Sequence, residues 1–353
     1  MSVEAVTTPV RPGFEMDEAA LLAWLRSAVD EFADAKSLSV RQFRGGQSNP
    51  TYAITIDGVH YVLRKKPPGV LLSGAHAVER EYRVIAALGR VGFPVARAVV
   101  LCEDTTIIGT AFYLMAHVEG RVFWDPSLPE LPREDRAGIY DAMNATLAQL
   151  HRVDHVAAGL GDFGKAGNYF TRQLIRWGGQ YRDDPAAGRI EDMDRLFDWL
   201  QANIPPGDEV SLVHGDFRCD NMIFHPTEPR VIAVLDWELS TLGHPLADFG
   251  YHLMTYRMPD SALPGLRGRD LVALGLPAEE DYVAAYCRRT GRESIPHLDF
   301  YVAFNLFRFA AIFHGIRGRL LRGTAASERA KEFARHVEGV AALGWEQAVR
   351  AGA

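Results

Sequence analysis

Residues 210–216 read V-S-L-V-H-G-D, Asn221 follows after four intervening residues, and residues 231–236 read V-I-A-V-L-D. Each apolar run has the length of a short buried strand and leads into an aspartate. Phosphoryl transfer uses a base that accepts the proton of the attacking hydroxyl, and Mg²⁺ held by hard oxygen ligands such as Asp and Asn. These residue types in this order favour phosphoryl-transfer chemistry, although His-Gly-Asp by itself is also common at ordinary turns.

The spacing of these residues is more specific for phosphoryl-transfer chemistry than the His-Gly-Asp tripeptide alone. H-x-D-x-x-x-x-N, with a second aspartate 20 residues after the first, resembles the catalytic loop of protein kinases and their metal-binding Asp. Gly215 stands where protein kinases carry Arg. His-Gly-Asp with this Asn, followed by L-D-W, is the signature of the aminoglycoside phosphotransferase and choline kinase superfamily. The chain is identified as a member of it, with the resemblance extending from about Gly45 to about Arg322.

Three further stretches resemble one subgroup, the kinase-like domain that is fused to acyl-CoA dehydrogenases in animals and encoded alone in many bacteria. They are Gly161–Lys165, Asn168–Phe170 and Phe307-Arg308. The resemblance implies an α+β, two-lobed protein-kinase-like fold with a small antiparallel β-rich N-lobe and a larger, mostly helical C-lobe. We place the nucleotide-binding lobe, with a leading helix, at residues 1–117 and the catalytic and acceptor-binding lobe at residues 118–353.

The pattern of apolar residues along the chain agrees with this division. Alternation predicts strands over Leu38–Arg44, Thr51–Ile56 and His60–Arg64, and Asp57-Gly58 is a strong signal for a hairpin turn. Helical spacing of apolar residues predicts a helix over Ala77–Leu88. The other predicted elements include strands at Val95–Cys102 and Ala111–Met115 and helices at Glu134–His151, Phe170–Arg182 and Asp192–Asn203.

The family resemblance assigns roles to the residues of the opening stretch. It implies that Asp216 is the catalytic base and that Asn221 and Asp236 hold Mg²⁺. Asp248 matches a family aspartate that braces the catalytic loop, and His214 is expected to shape the loop by hydrogen bonding. The implied reaction moves the γ-phosphoryl group of ATP to a hydroxyl group of a small molecule, with ATP and Mg²⁺ as cofactors.

Two backbone segments are expected to bind the nucleotide. The sequence G-G-Q-S-N is predicted to form a hairpin whose backbone N–H groups cradle phosphates, with Gly46 and Ser48 as binding residues. The sequence Y-L-M-A-H-V-E-G resembles the family hinge, in which backbone groups bond to the adenine. By this resemblance, the adenine contacts are the carbonyl of Ala116 and the N–H of Val118.

A side-chain ligand for the phosphates is expected on the third predicted strand. Kinases place a Lys there to bind the α- and β-phosphates, paired with a Glu on the next helix, and Arg64 and Glu81 match these two positions. A guanidinium offers a bidentate fork that suits phosphate. Lys65 and Lys66 are alternative phosphate ligands, and Arg64 with Glu81 is alternatively an ordinary ion pair.

The expected acceptor is a small molecule with a hydroxyl group. The subgroup resemblance points to a hydroxyacyl-CoA or another hydroxylated metabolite. Aminoglycosides are polycations that would suit an acidic pocket, and the net charge of −7 is too modest to decide. A CoA ester would suit a basic pocket. Four arginines near the C-terminus could build one or could instead form a solvated basic helix face: Arg308, Arg317, Arg319 and Arg322.

The composition excludes several classes of protein. A chain of 353 residues with 48% hydrophobic residues is globular, and its net charge of −7 makes it a poor general nucleic-acid binder, which would need a basic face. No apolar run approaches the roughly 18 residues that cross a bilayer, and no secretion signal is visible, so we expect a cytoplasmic protein without a membrane partner. Three widely spaced cysteines fit a reducing compartment. The oligomeric state is not predicted.

Three other classes are weighed against a phosphotransferase. A catalytically weak, pseudokinase-like nucleotide-binding module would lack the base or a metal ligand, and the sequence carries all of these. A protein kinase would need an A-P-E-like motif after Asp236, where W-E-L-S-T-L-G-H-P follows. A metal-dependent phosphohydrolase would use adjacent H-D or H-x-H pairs, which are missing. Its candidate ligands would be His214, Asp216, Asp236, His244, Asp248 and His252.

Overall fold

The chain forms a mixed α+β structure made of two compact units. The computed structural model describes residues 3–44, 49–67, 77–260, 264–324 and 328–353. The first unit draws its residues from 1–122, 156–160 and 221–240. The second unit draws its residues from 123–155, 161–220 and 241–353.

The strands and helices are numbered in chain order. The strands are β1 Thr7–Thr8, β2 Leu38–Phe43, β3 Thr51–Ile56, β4 Val59–Lys65, β5 Ala98–Cys102, β6 Phe112–Ala116, β7 Ser211–Val213, β8 Met222–Phe224, β9 Val231–Val234 and β10 Thr241–Gly243. The helices are α1 Val3–Val6, α2 Glu18–Ala28, α3 Val78–Arg90, α4 Arg133–His151, α5 Tyr169–Arg182, α6 Glu191–Ala202, α7 Pro245–Arg257, α8 Leu271–Leu274, α9 Glu279–Thr290, α10 Leu298–Leu321, α11 Glu328–Arg335 and α12 Val337–Arg350.

The first unit contains a six-stranded antiparallel sheet in the order β1-β2-β3-β4-β6-β5. β3 and β4 are joined by Asp57 and Gly58, which both have positive φ, the geometry of a type I′ hairpin turn. In the register of this hairpin, Thr51 pairs with Arg64 and Ile56 pairs with Val59. The predicted hairpin is confirmed, because an alternating pattern on both sides of Asp-Gly permits this register.

One face of this sheet packs against helix α2. Leu21 and Leu25, one helical turn apart, are buried in the same cluster as Tyr52, Ile54 and Leu63 of β3 and β4. The apolar stripe of an amphipathic helix therefore covers the apolar face of the sheet. This packing holds β4, the strand that carries the predicted phosphate ligand.

A two-stranded hairpin, β8–β9, also belongs to the first unit. Arg121 and Phe224 exchange two backbone hydrogen bonds of 2.9 Å and 2.8 Å beside it. A Cβ atom on Gly120 would lie 2.3 Å from the carbonyl oxygen of Phe224, so only glycine allows this close approach. The two hydrogen bonds therefore connect the segment that follows β6 to the β8–β9 hairpin.

Helix α10 is the central element of the second unit and packs against α5, α6, α7, α11 and α12. Its Phe300 and Phe304 are buried, and the ring of Phe170 on α5 lies edge-to-face against them with centroid distances of 5.3 Å and 5.0 Å. Such edge-to-face aromatic pairs stabilise the packing of α5 against α10. None of the helices in the described ranges is both long and apolar enough to span a bilayer.

Candidate active site

The His-Gly-Asp turn follows β7 in the second unit. β7 pairs with β10, with Val213 opposite Thr241, which fixes the direction in which the chain enters the turn. Gly215 has a φ of +84°, in the left-handed region that other residues avoid. The backbone N–H of Asp216 donates to Nδ1 of His214 at 3.1 Å. His214 therefore shapes the loop by hydrogen bonding, as predicted.

Asp248, in the first turn of α7, braces this loop through its carboxylate. Its Oδ2 accepts from the N–H of His214 at 2.7 Å, and its Oδ1 accepts from the N–H of Gly215 at 2.8 Å. Nε2 of His151 lies 3.3 Å from Oδ2. Burial alone would raise the pKa of Asp248, but the contacts with His151 and His214 lower it below its usual value. Asp248 therefore stays ionised at neutral pH.

Two side chains hold the carboxylate of Asp216. The hydroxyl of Tyr251 on α7 donates a hydrogen bond to Oδ1. Nε of Arg218 lies 3.2 Å from the same oxygen, and its Nη2 lies 3.0 Å from Oδ2 of Asp220. The Asp216 side chain is 21% exposed, so a small molecule can reach the carboxylate while its neighbours orient it.

Arg308 of α10 contacts the same loop from a distant part of the sequence. Its Nη2 donates to the carbonyl oxygen of Gly215 at 2.8 Å. Its guanidinium lies 5.8 Å from the ring centroid of Trp177 and 5.5 Å from that of Tyr251, within the range of cation–π contacts. Because Arg308 is buried, the solvated face considered for this arginine is wrong.

Two of the other C-terminal arginines considered for a basic pocket, Arg317 and Arg322, form ion pairs. Nη1 of Arg317 lies 2.6 Å from Oε1 of Glu338. Nη1 of Arg322 lies 2.7 Å from Oδ1 of Asp184. Both guanidinium groups therefore pair with carboxylates of the same unit.

A cavity of about 250 Å³ lies in the second unit beside the loop. Arg218 and Tyr251 line it, so both residues that hold the Asp216 carboxylate form part of its wall. Most of the other lining residues are aromatic, Met or Pro: Trp124, Pro126, Tyr140, Met143, Met254, Tyr256, Met258, Pro264 and Phe309. The cavity can therefore take a molecule with an apolar body and bring its polar end near Asp216.

The lining of this cavity carries little net charge. Among the described residues that line it, one basic side chain, Arg218, pairs with one acidic side chain, Asp220. Burial lowers the pKa of His252, which also lines the cavity, to about 4. The imidazole is therefore neutral at pH 7, and the cavity lacks the excess of carboxylates that a polycation would need.

Asn221 and Asp236 flank the open end of the β8–β9 hairpin in the first unit. The N–H of Leu235 donates to the carbonyl oxygen of Asn221 at 2.8 Å, which makes the two segments neighbours. Asp236 has a φ of +63°, a left-handed conformation that Asp adopts more readily than most residues. An amide oxygen and a carboxylate are hard ligands that fit Mg²⁺, which completes its octahedron with water and phosphate oxygens.

Arg64, near the end of β4, lies between two carboxylates of the first unit. Its Nη1 is 3.1 Å from Oε2 of Glu81 and 3.2 Å from Oδ1 of Asp236. The other contacts of Glu81 come from Nδ2 of Asn49 at 2.6 Å and the hydroxyl of Tyr113 at 3.0 Å. Arg64 and Glu81 therefore belong to a buried network rather than to an ordinary surface ion pair.

The charge state of this network follows from burial and from the paired charges. Burial raises the pKa of Glu81, and the adjacent Arg64 opposes the rise. Burial alone would lower the pKa of Arg64, but the neighbouring acidic groups Tyr113, Glu81 and Asp236 raise it above its usual value. Arg64 is therefore a permanent cation that can exchange a carboxylate partner for a phosphate.

The alternative phosphate ligands have other neighbours. Nζ of Lys65 lies 5.2 Å from the ring centroid of Tyr52. Nζ of Lys66 lies 2.9 Å from Oε2 of Glu79. Arg64 is thus the member of this basic run that the structure places beside Glu81 and Asp236.

The remaining predicted nucleotide ligands are backbone groups. Gly46 and Ser48 lie outside the described residues. Ala116 is the last residue of β6, and its N–H donates to the carbonyl of Arg97 at 2.9 Å. Val118, two residues later, is partly buried. The adenine contacts assigned to Ala116 and Val118 stay a prediction.

Sequence reasoning missed Tyr251 and Arg218 and misplaced Arg308. A weak signal existed for Tyr251, because it lies three residues after Asp248 and therefore on the same face of α7. The sequence signal for Arg218 was weaker and consists only of its position two residues after Asp216. The Arg308–Gly215 contact joins residues 93 apart, and no local pattern reports it.

Comparison with known proteins gives a consistent result. A family model described as "Phosphotransferase enzyme family" matches residues 39–294. Acyl-CoA dehydrogenase family member 10 of Mus musculus is 44% identical over 98% of this chain. Acyl-CoA dehydrogenase family member 11 of Gallus gallus is 45% identical over 99% of this chain. The chain spans 32% and 46% of the lengths of these two relatives.

Solved structures show the same relationship. A crystal structure from Ralstonia eutropha JMP134, provisionally named an aminoglycoside phosphotransferase, is 48% identical, with a TM-score of 0.88 over 95% of this chain and 99% of that chain. Choline kinase from Cryptosporidium parvum is 10% identical, with a TM-score of 0.64 over 95% and 97% of the two chains.

A thermostable mutant of aminoglycoside phosphotransferase APH(4)-Ia, in a ternary complex with AMP-PNP and hygromycin B, is 15% identical. Its TM-score is 0.59 over 95% of this chain and 100% of that chain. At such low identity, this structure and the choline kinase share the fold alone with this chain. The predicted α+β, protein-kinase-like fold is confirmed.

Proposed function

Because the chain belongs to the phosphotransferase enzyme family, we propose that it transfers the γ-phosphoryl group of ATP to a hydroxyl group of a small molecule. The observation that carries the proposal is the His-Gly-Asp loop: Asp248 braces it, and Tyr251 and Arg218 orient its Asp216 carboxylate beside a cavity. Such an arrangement suits a base that must meet one hydroxyl in one orientation.

In this proposal Asp216 acts on the acceptor. The acceptor hydroxyl lies within hydrogen-bond reach of the carboxylate, which takes its proton as the oxygen forms a bond to the γ-phosphorus. The bond between that phosphorus and the β,γ-bridging oxygen breaks, and ADP leaves. Positioning and electrostatic stabilisation supply most of the rate enhancement in this chemistry.

The nucleotide would bind to residues of the first unit. Arg64, oriented by Glu81, would contact the α- and β-phosphates, and Asn221 and Asp236 would hold Mg²⁺. The metal, when bound, neutralises the charge that develops on the phosphate oxygens. Support comes from the oxygen donors at the end of the β8–β9 hairpin and from the AMP-PNP bound by a protein of the same fold. The backbone at Gly46, Ser48, Ala116 and Val118 would complete the site.

The cavity chemistry supports an acceptor with an apolar body. Its lining is mainly aromatic and Met-rich, and Arg218 and Asp220 in it pair with each other. A polycationic aminoglycoside would gain little from these surroundings, whereas the acyl part of a hydroxyacyl-CoA or another apolar hydroxylated metabolite would be desolvated in them. The acyl-CoA dehydrogenase names of the longer relatives are in line with this choice.

One observation favours a second candidate, a catalytically weak nucleotide-binding module. Arg64 contacts Asp236, the predicted metal ligand. If phosphate and Mg²⁺ replaced this ion pair only poorly, the protein would bind nucleotide but turn over slowly. A metal-dependent phosphohydrolase finds no support among the described residues, where no group of three or more His, Cys, Asp or Glu side chains could hold a metal.

A test of the proposed function is a screen for acceptor-dependent ADP release in the presence of Mg²⁺ and ATP. The acceptors are hydroxyacyl-CoAs, aminoglycosides, choline and sugars, and each positive is checked by mass for one added phosphoryl group. Asp281→Asn, at an exposed position on α9, serves as the matched control for Asp216→Asn. We expect phosphorylation of a hydroxyacyl-CoA or a similar apolar alcohol. Failure of every acceptor class would contradict the proposal.

A further inference from the structure

Tyr251 contacts Asp216, the proposed base, through its hydroxyl group. Its hydroxyl donates to Oδ1 of Asp216, the same oxygen that Nε of Arg218 approaches at 3.2 Å. The Tyr251 hydroxyl donates a hydrogen bond to this oxygen and the Arg218 guanidinium pairs with it by charge, so both side chains restrict rotation of the carboxylate. Without them the plane of the carboxylate is soft, because the terminal torsion of an Asp side chain has broad, shallow minima.

The phenol can play this role at every physiological pH. Burial, and then the negative charge of Asp216, raise the pKa of Tyr251 well above its usual value. The hydroxyl therefore stays protonated and donates to the carboxylate. A hydrogen bond to an ionised acceptor is stronger than one between neutral groups.

The ring of Tyr251 is buried and lies against the guanidinium of Arg308. The side chain is 7% exposed, and the Arg308 guanidinium lies 5.5 Å from the ring centroid. Arg308 also binds the carbonyl of Gly215, next to Asp216 in the chain. Asp248 and Tyr251 are three residues apart on α7, so one helix face supports both the loop backbone and the carboxylate.

We propose that Tyr251 is a positioning residue that fixes the Asp216 carboxylate in the orientation in which it receives the proton of the acceptor hydroxyl. The inference rests on the proposed function. Tyr251 also lines the cavity beside the loop, so the fixed carboxylate is presented to whatever occupies that cavity. A purely structural tyrosine would affect folding but neither the surroundings of the Asp216 carboxylate nor kcat at an unchanged KM.

The test uses Tyr251→Phe in the full chain, which keeps the ring and removes the donor. Turnover should fall about 10-fold to 100-fold with the KM for ATP unchanged. The KM for the acceptor should also be unchanged, because Phe keeps the ring that lines the cavity, so the loss appears in kcat alone. The matched control is Tyr181→Phe, since Tyr181 donates to the carboxylate of Asp194 at 3.0 Å in a network without the loop residues. It should change stability at most.

A second measurement does not depend on turnover. The ¹³Cγ signals of labelled aspartates are compared by NMR at one neutral pH, with Asp216→Asn identifying the Asp216 signal. The Asp216 signal should move in Tyr251→Phe, because the carboxylate loses a hydrogen-bond donor, and stay in place in Tyr181→Phe. The ¹³Cζ signal of Tyr251 should move in turn in Asp216→Asn, which tests the same hydrogen bond from its other side.

The outcomes separate the two proposals. An unchanged Asp216 signal together with an unchanged kcat in Tyr251→Phe overturns the positioning role, even if phosphoryl transfer is observed. A shifted signal with wild-type protein that phosphorylates no acceptor overturns the proposed function, and with it the catalytic meaning of Tyr251. A shifted signal with slowed transfer supports both.

Discussion

The guanidinium of Arg64 contacts the carboxylate of Asp236, with Nη1 and Nη2 3.2 Å and 3.3 Å from Oδ1. The predicted phosphate ligand and one predicted metal ligand are therefore paired with each other in the structure. Binding of a metal–nucleotide complex would give each of them a new partner, a phosphate for Arg64 and Mg²⁺ for Asp236. This exchange conserves the number of charge pairs, so it does not require a buried charge to be left unpaired.

Substitution of Arg64 should separate its role in folding from its role in binding. Arg64→Ala leaves the buried Glu81 without its cation and should lower the free energy of unfolding by about 3 kcal/mol or more. Arg64→Lys keeps the charge and should restore most of that stability. Urea unfolding and the KM for ATP are the measurements. Arg97→Lys, in an exposed pair with Glu31, is the control. Equal stability of Arg64→Ala and the wild type would contradict the buried network.

Asp236→Asn should weaken Mg²⁺ binding more than it destabilises the fold. The substitution removes a negative ligand from the proposed metal site, so the Mg²⁺ concentration that gives half-maximal turnover should rise about tenfold or more. Glu228→Gln is the control, since Glu228 is exposed and follows β8 in the same hairpin. An unchanged Mg²⁺ dependence in Asp236→Asn would exclude this residue as a metal ligand.

Asp248→Asn should damage both stability and turnover. The amide keeps one acceptor oxygen but faces a backbone N–H with its NH₂ group, so one of the two loop bonds is lost in a buried site. The free energy of unfolding should fall by about 2–3 kcal/mol, and kcat should fall with it. Urea unfolding and steady-state kinetics check this. A variant with native kcat would show that the brace does not orient Asp216.

Two buried histidines should make the fold sensitive to acid. Burial lowers the pKa of His244 and of His252 to about 4, whereas a histidine in the unfolded chain titrates near ~6.5. Between these values the unfolded state binds more protons. The contribution of these histidines to the free energy of unfolding is therefore fully present above pH 6.5 and is lost as the pH falls towards 4. Each histidine should remove about 2 kcal/mol of stability between pH 7 and pH 5.

The measurement is urea unfolding at these two pH values. His252→Gln can be less stable at both, but its loss between pH 7 and pH 5 should be about 2 kcal/mol smaller than that of the wild type. His60→Gln, at an exposed position, should show the wild-type loss. An equal loss in His252→Gln and the wild type would contradict the neutral, buried state of this imidazole.

The parts of the fold that the sequence predicts are those set by local chemistry. The β3–β4 hairpin follows from strand alternation on both sides of Asp57-Gly58, because both turn residues adopt positive φ. The brace by Asp248 was predicted through the family resemblance. His214 was predicted to be structural, and its ring accepts the N–H of Asp216.

The parts that the sequence did not predict depend on long-range packing. Tyr251 reaches Asp216 across 35 residues, and Arg308 reaches Gly215 across 93 residues. The polar character of an arginine on α10 suggested solvent or substrate, but the Trp177 and Tyr251 rings and a loop carbonyl surround it instead. The β8–β9 hairpin belongs to the first unit through contacts such as Arg121–Phe224, which join residues about 100 positions apart and leave no local pattern.

The central claim is that Asp216 is the base of a phosphoryl transfer from ATP. The most direct measurement compares the rate of γ-phosphoryl transfer to the best acceptor in wild type, Asp216→Asn and the control Asp281→Asn, together with the Kd for ATP. We predict a fall of ~10²–10⁴-fold in Asp216→Asn alone, the usual contribution of a general base, with the Kd for ATP unchanged. Transfer by Asp216→Asn at the wild-type rate would contradict the account.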